Sequence, residues 1–308
     1  MTLAVLCPGQ GAQHPALFDQ LDTHAESTRV IDDAARALGE DARAWLKQGD
    51  AIFGNAIAQP LICILQLAQW ALLQSQLPAP AALAGYSVGE LACYGVSGAL
   101  GIDEVALLAR ARATAMDAAA AANPGRLIGV RGLSRLALNR LCVATGAFIA
   151  IVTADDAFVV GGSAAALEQM RERCEKAGAK LTDLRVGIAS HTPLLAVATD
   201  QFQAALERST LKAPSLPVIA GIDAGLVTTR DRAIATLSAQ ISHTVEWVQC
   251  LDALHERGCR VFIELGPGHA LSRMLRERFD DVEARSVDEF RDFAGVAHWG
   301  QRKMSALG

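Results

Sequence analysis

The sequence predicts an α/β protein with a parallel sheet and a smaller inserted sheet, on three observations. Segments 3–7 and 81–84 are short and wholly apolar, as strands covered on both faces are. Each runs into a glycine-containing turn and then a helical pattern, the strand–turn–helix order of a parallel sheet. From about residue 124 the rhythm changes to short strands and two helices in β-α-β-β-α-β order.

The elements follow in order. "MTLAVLC" invites comparison with a lipoprotein box, but it has no basic or extended apolar stretch and Pro8 comes at once, so it reads as the first strand. "PGQGAQ" (8–13) is the loop after it. Helical patterns cover 16–38, 41–48 and 58–77. The greasiest stretch, 61–77, carries four glutamines and is short for a membrane span, so it reads as a buried helix. After strand 81–84, helices are expected at 88–97 and 103–122. The insertion holds strands at 126–132, 147–153, 157–162 and 180–186. Its helices are 134–145 and 163–179, with Ser134 and Ser163 as N-caps and Gly178 at the end of the second. The larger unit then resumes with helix 192–211, strand 216–220, helices near 230–241 and 245–257, and a strand in 260–268 that ends in a Gly-Pro-Gly turn. The expected division is a discontinuous large unit, 1–123 and 190–308, around a small unit, 124–189.

Composition narrows the function classes. A chain of 308 residues, half of them apolar, can bury a large core. Its net charge of −5 and the lack of a dense Lys/Arg run argue against a nucleic-acid partner. The seven cysteines are scattered without a C-x-x-C pair, which reads as reduced, buried thiols in a cytoplasmic protein.

Chemistry concentrates at "GYSVGE" (85–90), a G-x-S-x-G between a strand and a helix. A nucleophile elbow needs small residues two positions either side of the serine, because the backbone is strained and its neighbours are close. Ser87 is therefore the candidate nucleophile, against the alternative of a capping serine in a tight turn. It needs a base. His191 ("GIASHTP"), directly after an expected strand, leads over His243 and His269, which also lie at element ends. An oxyanion site needs preset donors: the Val88 N–H just past the serine is one, and Gln10, in the loop at the same sheet edge, is the natural second. Arg110 and Arg112 on helix 103–122 face different ways, so one can be solvated while the other points to the site and grips a carboxylate in two-pronged fashion.

Taken together, "PGQGAQ", "GYSVGE", an arginine 25 residues after the serine and "SH" about 100 residues on resemble the malonyl-CoA:acyl carrier protein transacylase family. The likeness covers about residues 3–285. It implies a hydrolase-like α/β core with a nucleophile elbow and an inserted ferredoxin-like subdomain. It implies that Ser87 takes the malonyl group as an ester, with His191 as base and Gln10 and Val88 holding the oxyanion. Arg112 rather than Arg110 would grip the free carboxylate, because Met116 falls on the family's methionine in the same helix. A backbone carbonyl, not an aspartate, orients the base in that family, and the matching segment is "SHTVEW", around Glu246. The chain departs from the fatty-acid enzymes in having Tyr86 before the nucleophile, Val88 after it, and Thr153–Ala157 in place of an N-x-P-G-Q loop. "GYSVGEL" and the "ARSVDEF" tail are more similar to the malonate decarboxylase epsilon subunit. That resemblance implies loading of the decarboxylase's carrier subunit through a phosphopantetheine-type thiol arm, with malonyl-CoA as donor and no further cofactor or metal. The alternatives are the fatty-acid transacylase, a serine esterase or thioesterase, and a non-catalytic carrier-docking or scaffold subunit, which would show no serine labelling. A carboxylate clamp favours transfer to a thiol over hydrolysis, provided water is poorly placed.

Overall fold

The computed structural model describes residues 2–184 and 186–307. Ten strands divide between two sheets. The larger contains β1 (Thr2–Cys7), β2 (Ala82–Gly85), β7 (Val218–Ile219), β8 (Leu226–Val227), β9 (Cys259–Glu264) and β10 (Glu283–Ser286), in the order β10-β9-β1-β2-β7-β8. All neighbours are parallel except β8, a short antiparallel edge on β7. β1 is central: Ala4 lies opposite Ala82 on one side and Phe262 on the other. Residues 3–7 are essentially unexposed, which is why they show no polar alternation.

The smaller sheet holds β3 (Arg126–Arg131), β4 (Phe148–Ala154), β5 (Ala157–Gly162) and β6 (Lys180–Asp183), ordered β4-β5-β3-β6 and antiparallel throughout. Its two helices, Arg135–Thr145 and Ala164–Lys176, start where expected, with the Ser134 and Ser163 hydroxyls accepting from the Ala137 and Ala166 N–H groups. This sheet has its own apolar core around Val160, Leu138 and Met170. It is stitched to the larger unit by residues 244–245: the Val245 N–H donates to the Ala150 carbonyl, the Val152 N–H to the Val245 carbonyl, and the Thr244 hydroxyl to the Ile149 carbonyl.

The greasy stretch lies in helix Asn55–Leu73, which packs on helix Ile102–Ala122 and is buried in the molecule although it is long and apolar enough to cross a membrane. Its glutamines are structural. Gln66 donates to the Pro8 carbonyl, and Gln69 accepts from the Gly266 N–H, so two loops at the sheet edge hang on this helix. All seven cysteines are free and buried.

Several expectations need correction. Residues 16–24 are turns with one 3₁₀ stretch (Leu21–Thr23); Phe18 and Leu21 anchor them to the core, and the extended backbone at His24 delays the helix to Ala25–Leu38. Helix 41–48 shortens to Ala42–Trp45. Strand 180–186 ends at Asp183, because Leu184 and Val186 turn into an apolar cluster instead of pairing; Arg185 lies outside the described residues. Strand 216–220 keeps only two residues. β8, β10 and helix Phe293–Leu307 were not anticipated.

Candidate active site

β2 ends at Gly85, and helix Gly89–Val96 begins four residues on. Ser87 stands between them at φ 55°, a conformation L-residues rarely adopt. Steric closeness dictates the flanking glycines. A Cβ at Gly89 would lie 2.0 Å from the Cys7 carbonyl oxygen, and one at Gly85 2.1 Å from the Glu90 nitrogen. The turn closes through the Gly89 N–H to the Tyr86 carbonyl and the Glu90 N–H to the Ser87 carbonyl, both 3.0 Å. The Val88 N–H has no acceptor among the described residues and sits at the helix N-terminus, where anions are favoured.

Ser87 Oγ lies 2.9 Å from His191 Nε2, 104 positions along the chain. His191 is 1 % exposed, and it too has positive φ, 61°. Its Nδ1 lies 2.6 Å from the Gln240 carbonyl. A carbonyl only accepts, so Nδ1 carries the ring proton and Nε2 presents its lone pair to the serine. Burial, and then the positive charge of Arg112, push the imidazole down to about 3; the bond to Gln240 opposes this. The ring is therefore neutral at physiological pH, the state a base requires.

The orienting carbonyl is a correction to the sequence reading. It belongs to Gln240, just past helix Arg230–Ala239, where unused helix carbonyls are available. Glu246 lies six residues on, and its carboxylate is engaged by Arg135 at 2.6 and 2.8 Å. The segment around it stitches β4 to the larger unit, which carries Glu246 away from the base.

Arg110 and Arg112 separate as their spacing requires. Arg110 donates to the Leu38 carbonyl and pairs with Glu40 at 3.2 Å. Arg112 is 1 % exposed and turns inward, donating to Gln59 Oε1 (2.8 Å) and Gln240 Oε1 (3.0 Å). Its Nε has no partner among the described residues. Burial lowers the guanidinium to about 10, so it stays charged at neutral pH. Its hydrogen-bond partners are neutral amides, and the Glu90 carboxyl acts on it without contact, so no direct ion pair balances the charge.

A cavity of about 400 Å³ joins these groups: Ser87, His191, Arg112, Gln59, Met116, Tyr86 and Gln10 all line it. The small sheet closes the opposite wall with Leu127, Ile151 and Val159. Met116 Sδ accepts from Gln59 Nε2, and Tyr86 packs edge-on against Trp247 with ring centres 5.3 Å apart. Gln10 is at the cavity as expected, but its side-chain amide is tied to Asn55 at 3.0 Å. Its main-chain N–H has no acceptor among the described residues. The "ARSVDEF" tail lies elsewhere: Ser286 forms a capping box with Glu289 and donates to the Gly268 carbonyl.

Three positions at this site escaped the sequence reading. Gln59 and Gln240 hold Arg112, and Glu90 is a fully buried carboxylate beside them. A glutamine facing the core of an otherwise apolar helix was a usable signal for Gln59. Nothing local marks Gln240, whose importance comes from what folds onto it.

The acyl transferase domain family matches residues 5–299 of the chain. The malonyl CoA-acyl carrier protein transacylase of Escherichia coli K12 is 27% identical over 93% of this chain and 96% of its own. That of Mycobacterium tuberculosis H37Rv is 30% identical over 96% and 99%. The crystal structure of FabD from Acinetobacter baumannii superposes with a TM-score of 0.93 at 25% identity, covering 98% of this chain and 99% of the other. With a match across almost its whole length, the chain belongs to the acyl transferase domain family and is an acyltransferase.

Proposed function

We propose that the chain moves a malonyl group from malonyl-CoA to the thiol of an acyl carrier protein, in two half-reactions through an ester on Ser87. The observation that carries this reading is Arg112, a buried cation with no direct ion pair among the described residues, lining the same cavity as the Ser87–His191 pair. A neutral acyl group would leave that cation unmatched, whereas the free carboxylate of malonyl matches it in charge and geometry. The transacylase names of the relatives support the same donor and acceptor.

In the first half-reaction His191 Nε2 takes the Ser87 proton as Oγ adds to the thioester carbonyl. The Val88 and Gln10 N–H groups stabilise the oxyanion. Collapse breaks the C–S bond, and the departing CoA sulfur takes the proton from His191. The second half-reaction is the reverse, with the carrier's thiol as nucleophile. Met116 and Tyr86 shape the pocket around these groups.

The unit 1–123 with 190–308 supplies the nucleophile and base, and the unit 124–189 the far wall of the cavity. The acceptor we favour is the carrier subunit of malonate decarboxylase, on the strength of "GYSVGEL"; the fatty-acid carrier is the second reading. The "ARSVDEF" tail adds little, since its capping box accounts for it locally. A cytoplasmic location fits the seven free thiols.

The test is intact mass after incubation with malonyl-CoA alone. A gain of one malonyl group, absent in Ser87→Ala and cleared by a pantetheine-type thiol, is expected. Steady release of malonate without a retained acyl group would make the protein a hydrolase. The two carriers, compared as acceptors, decide the branch.

A further inference from the structure

Glu90 takes no part in the steps above, yet it is fully buried three residues from the nucleophile. One of its oxygens, Oε2, accepts from the Gly221 N–H at 3.0 Å and from Gln240 Nε2 at 2.5 Å; Oε1 has no partner among the described residues. Gln240 is the junction. Its Nε2 also donates to the Ser87 carbonyl at 3.2 Å, its Oε1 accepts from Arg112, and its main-chain carbonyl accepts from His191.

The two ends of a glutamine amide have nearly the same shape but opposite hydrogen-bonding roles. Something must decide which end faces Arg112. Burial raises the Glu90 carboxyl to about 7, but Oε2 already accepts from the Gly221 N–H, so a proton would sit on the unpartnered Oε1 and Oε2 accepts in either state. Oε2 therefore draws the NH₂ end of Gln240 toward itself and leaves the carbonyl end for the guanidinium. The reversed amide would set donor against donor at Arg112 and acceptor against acceptor at Glu90. We infer that Glu90 is a positioning residue for acyl-group choice: acting through the Gln240 side chain, it aims the Arg112 guanidinium at the substrate carboxylate. The inference rests on the malonyl-transfer reading.

The chain of bonds predicts which replacements matter. Glu90→Gln can still offer an oxygen where Oε2 stands, with its NH₂ where Oε1 now has no partner. Glu90→Met fills similar space in an unbranched, helix-compatible shape but offers no oxygen. The measurement is the rate of Ser87 acylation with malonyl-CoA and, separately, with acetyl-CoA, beside thermal unfolding of each variant. In Glu90→Met, malonyl loading should fall roughly ten- to thirty-fold while acetyl loading changes less than about three-fold, so the preference drops about tenfold. Glu90→Gln should keep the wild-type preference within about three-fold. Equal loss with both donors, or an unchanged preference in Glu90→Met, would overturn the inference and leave Glu90 as support for the elbow alone. If Glu90→Met does not fold, Glu90→Leu, shorter and equally without an oxygen, is held to the same criterion. Wild-type protein that takes neither acyl group would refute the transfer reading itself, and this inference with it.

Discussion

The pH dependence of Ser87 acylation is where the geometry departs most from an isolated serine–histidine pair. An imidazole with its ordinary value near 6.5 would be only about 3% neutral at pH 5, and a reaction needing the neutral ring would run about thirty-fold slower there than at pH 8. His191 is pushed down to about 3, first by burial and then by Arg112, so at pH 5 about 99% of it remains neutral. The expected ratio of loading rates at pH 5 and pH 8 is therefore close to one. The assay is single-turnover acylation with excess malonyl-CoA, quenched at intervals and read by intact mass, with circular dichroism to show that the fold persists at pH 5. A rate falling tenfold per unit below pH 6.5 would refute the reasoning, since it would mean that the ring is solvated in the working enzyme. Arg112→Leu sharpens the test. It removes the repulsion and keeps most of the burial, so the acid limb should move upward yet stay below 6.5.

Other consequences follow from the same contacts. Arg112→Ala should lower kcat/KM for malonyl-CoA by roughly 10²–10³-fold, because a buried carboxylate loses a charged partner, while acetyl loading falls far less; steady-state kinetics with both donors checks this. Gly89→Ala should destabilise by more than about 3 kcal/mol, read in chemical denaturation, because its Cβ would lie 2.0 Å from a main-chain oxygen that cannot move without shifting β1. Acid should destabilise the protein through His191. Its folded value lies below its unfolded value, so the unfolded chain binds the extra proton. That share of the stability is present above pH 6.5 and lost as pH falls toward about 3, at up to about 1.4 kcal/mol per unit, as urea midpoints across pH 4–7 would show.

Much of this site was legible because it depends on local steric demands. Two glycines around Ser87, a strand before it and a helix after it state the elbow in six letters. The helical spacing set Arg110 and Arg112 on different faces, and it was the resemblance, through Met116, that chose Arg112. The residues that were missed act through contacts between distant parts of the chain. Gln240 lies 153 positions from Ser87 and 128 from Arg112, and its main-chain carbonyl, the group that orients the base, leaves no mark on residue type. The same reason misdirected the reading to Glu246, which lies in the right segment but on its far side. Gln10 was placed at the cavity by its loop, but the side chain's attachment to Asn55 depends on where helix Asn55–Leu73 begins, which its apolar pattern set three residues too late.

Gln240 also limits how this protein could be redesigned. One residue holds the base by its main chain and the cationic clamp by its side chain, and the clamp's charge in turn lowers the basicity of the base. Swapping Arg112 for an apolar residue to admit uncharged acyl groups would therefore change two properties together. The pocket would lose its attraction for carboxylates, and His191 would become a stronger base with a narrower working range of pH. Substrate range and proton chemistry share one mechanical linkage here, so a redesign that aims to alter the first while keeping the second has to rebuild Gln240 and Glu90 along with Arg112.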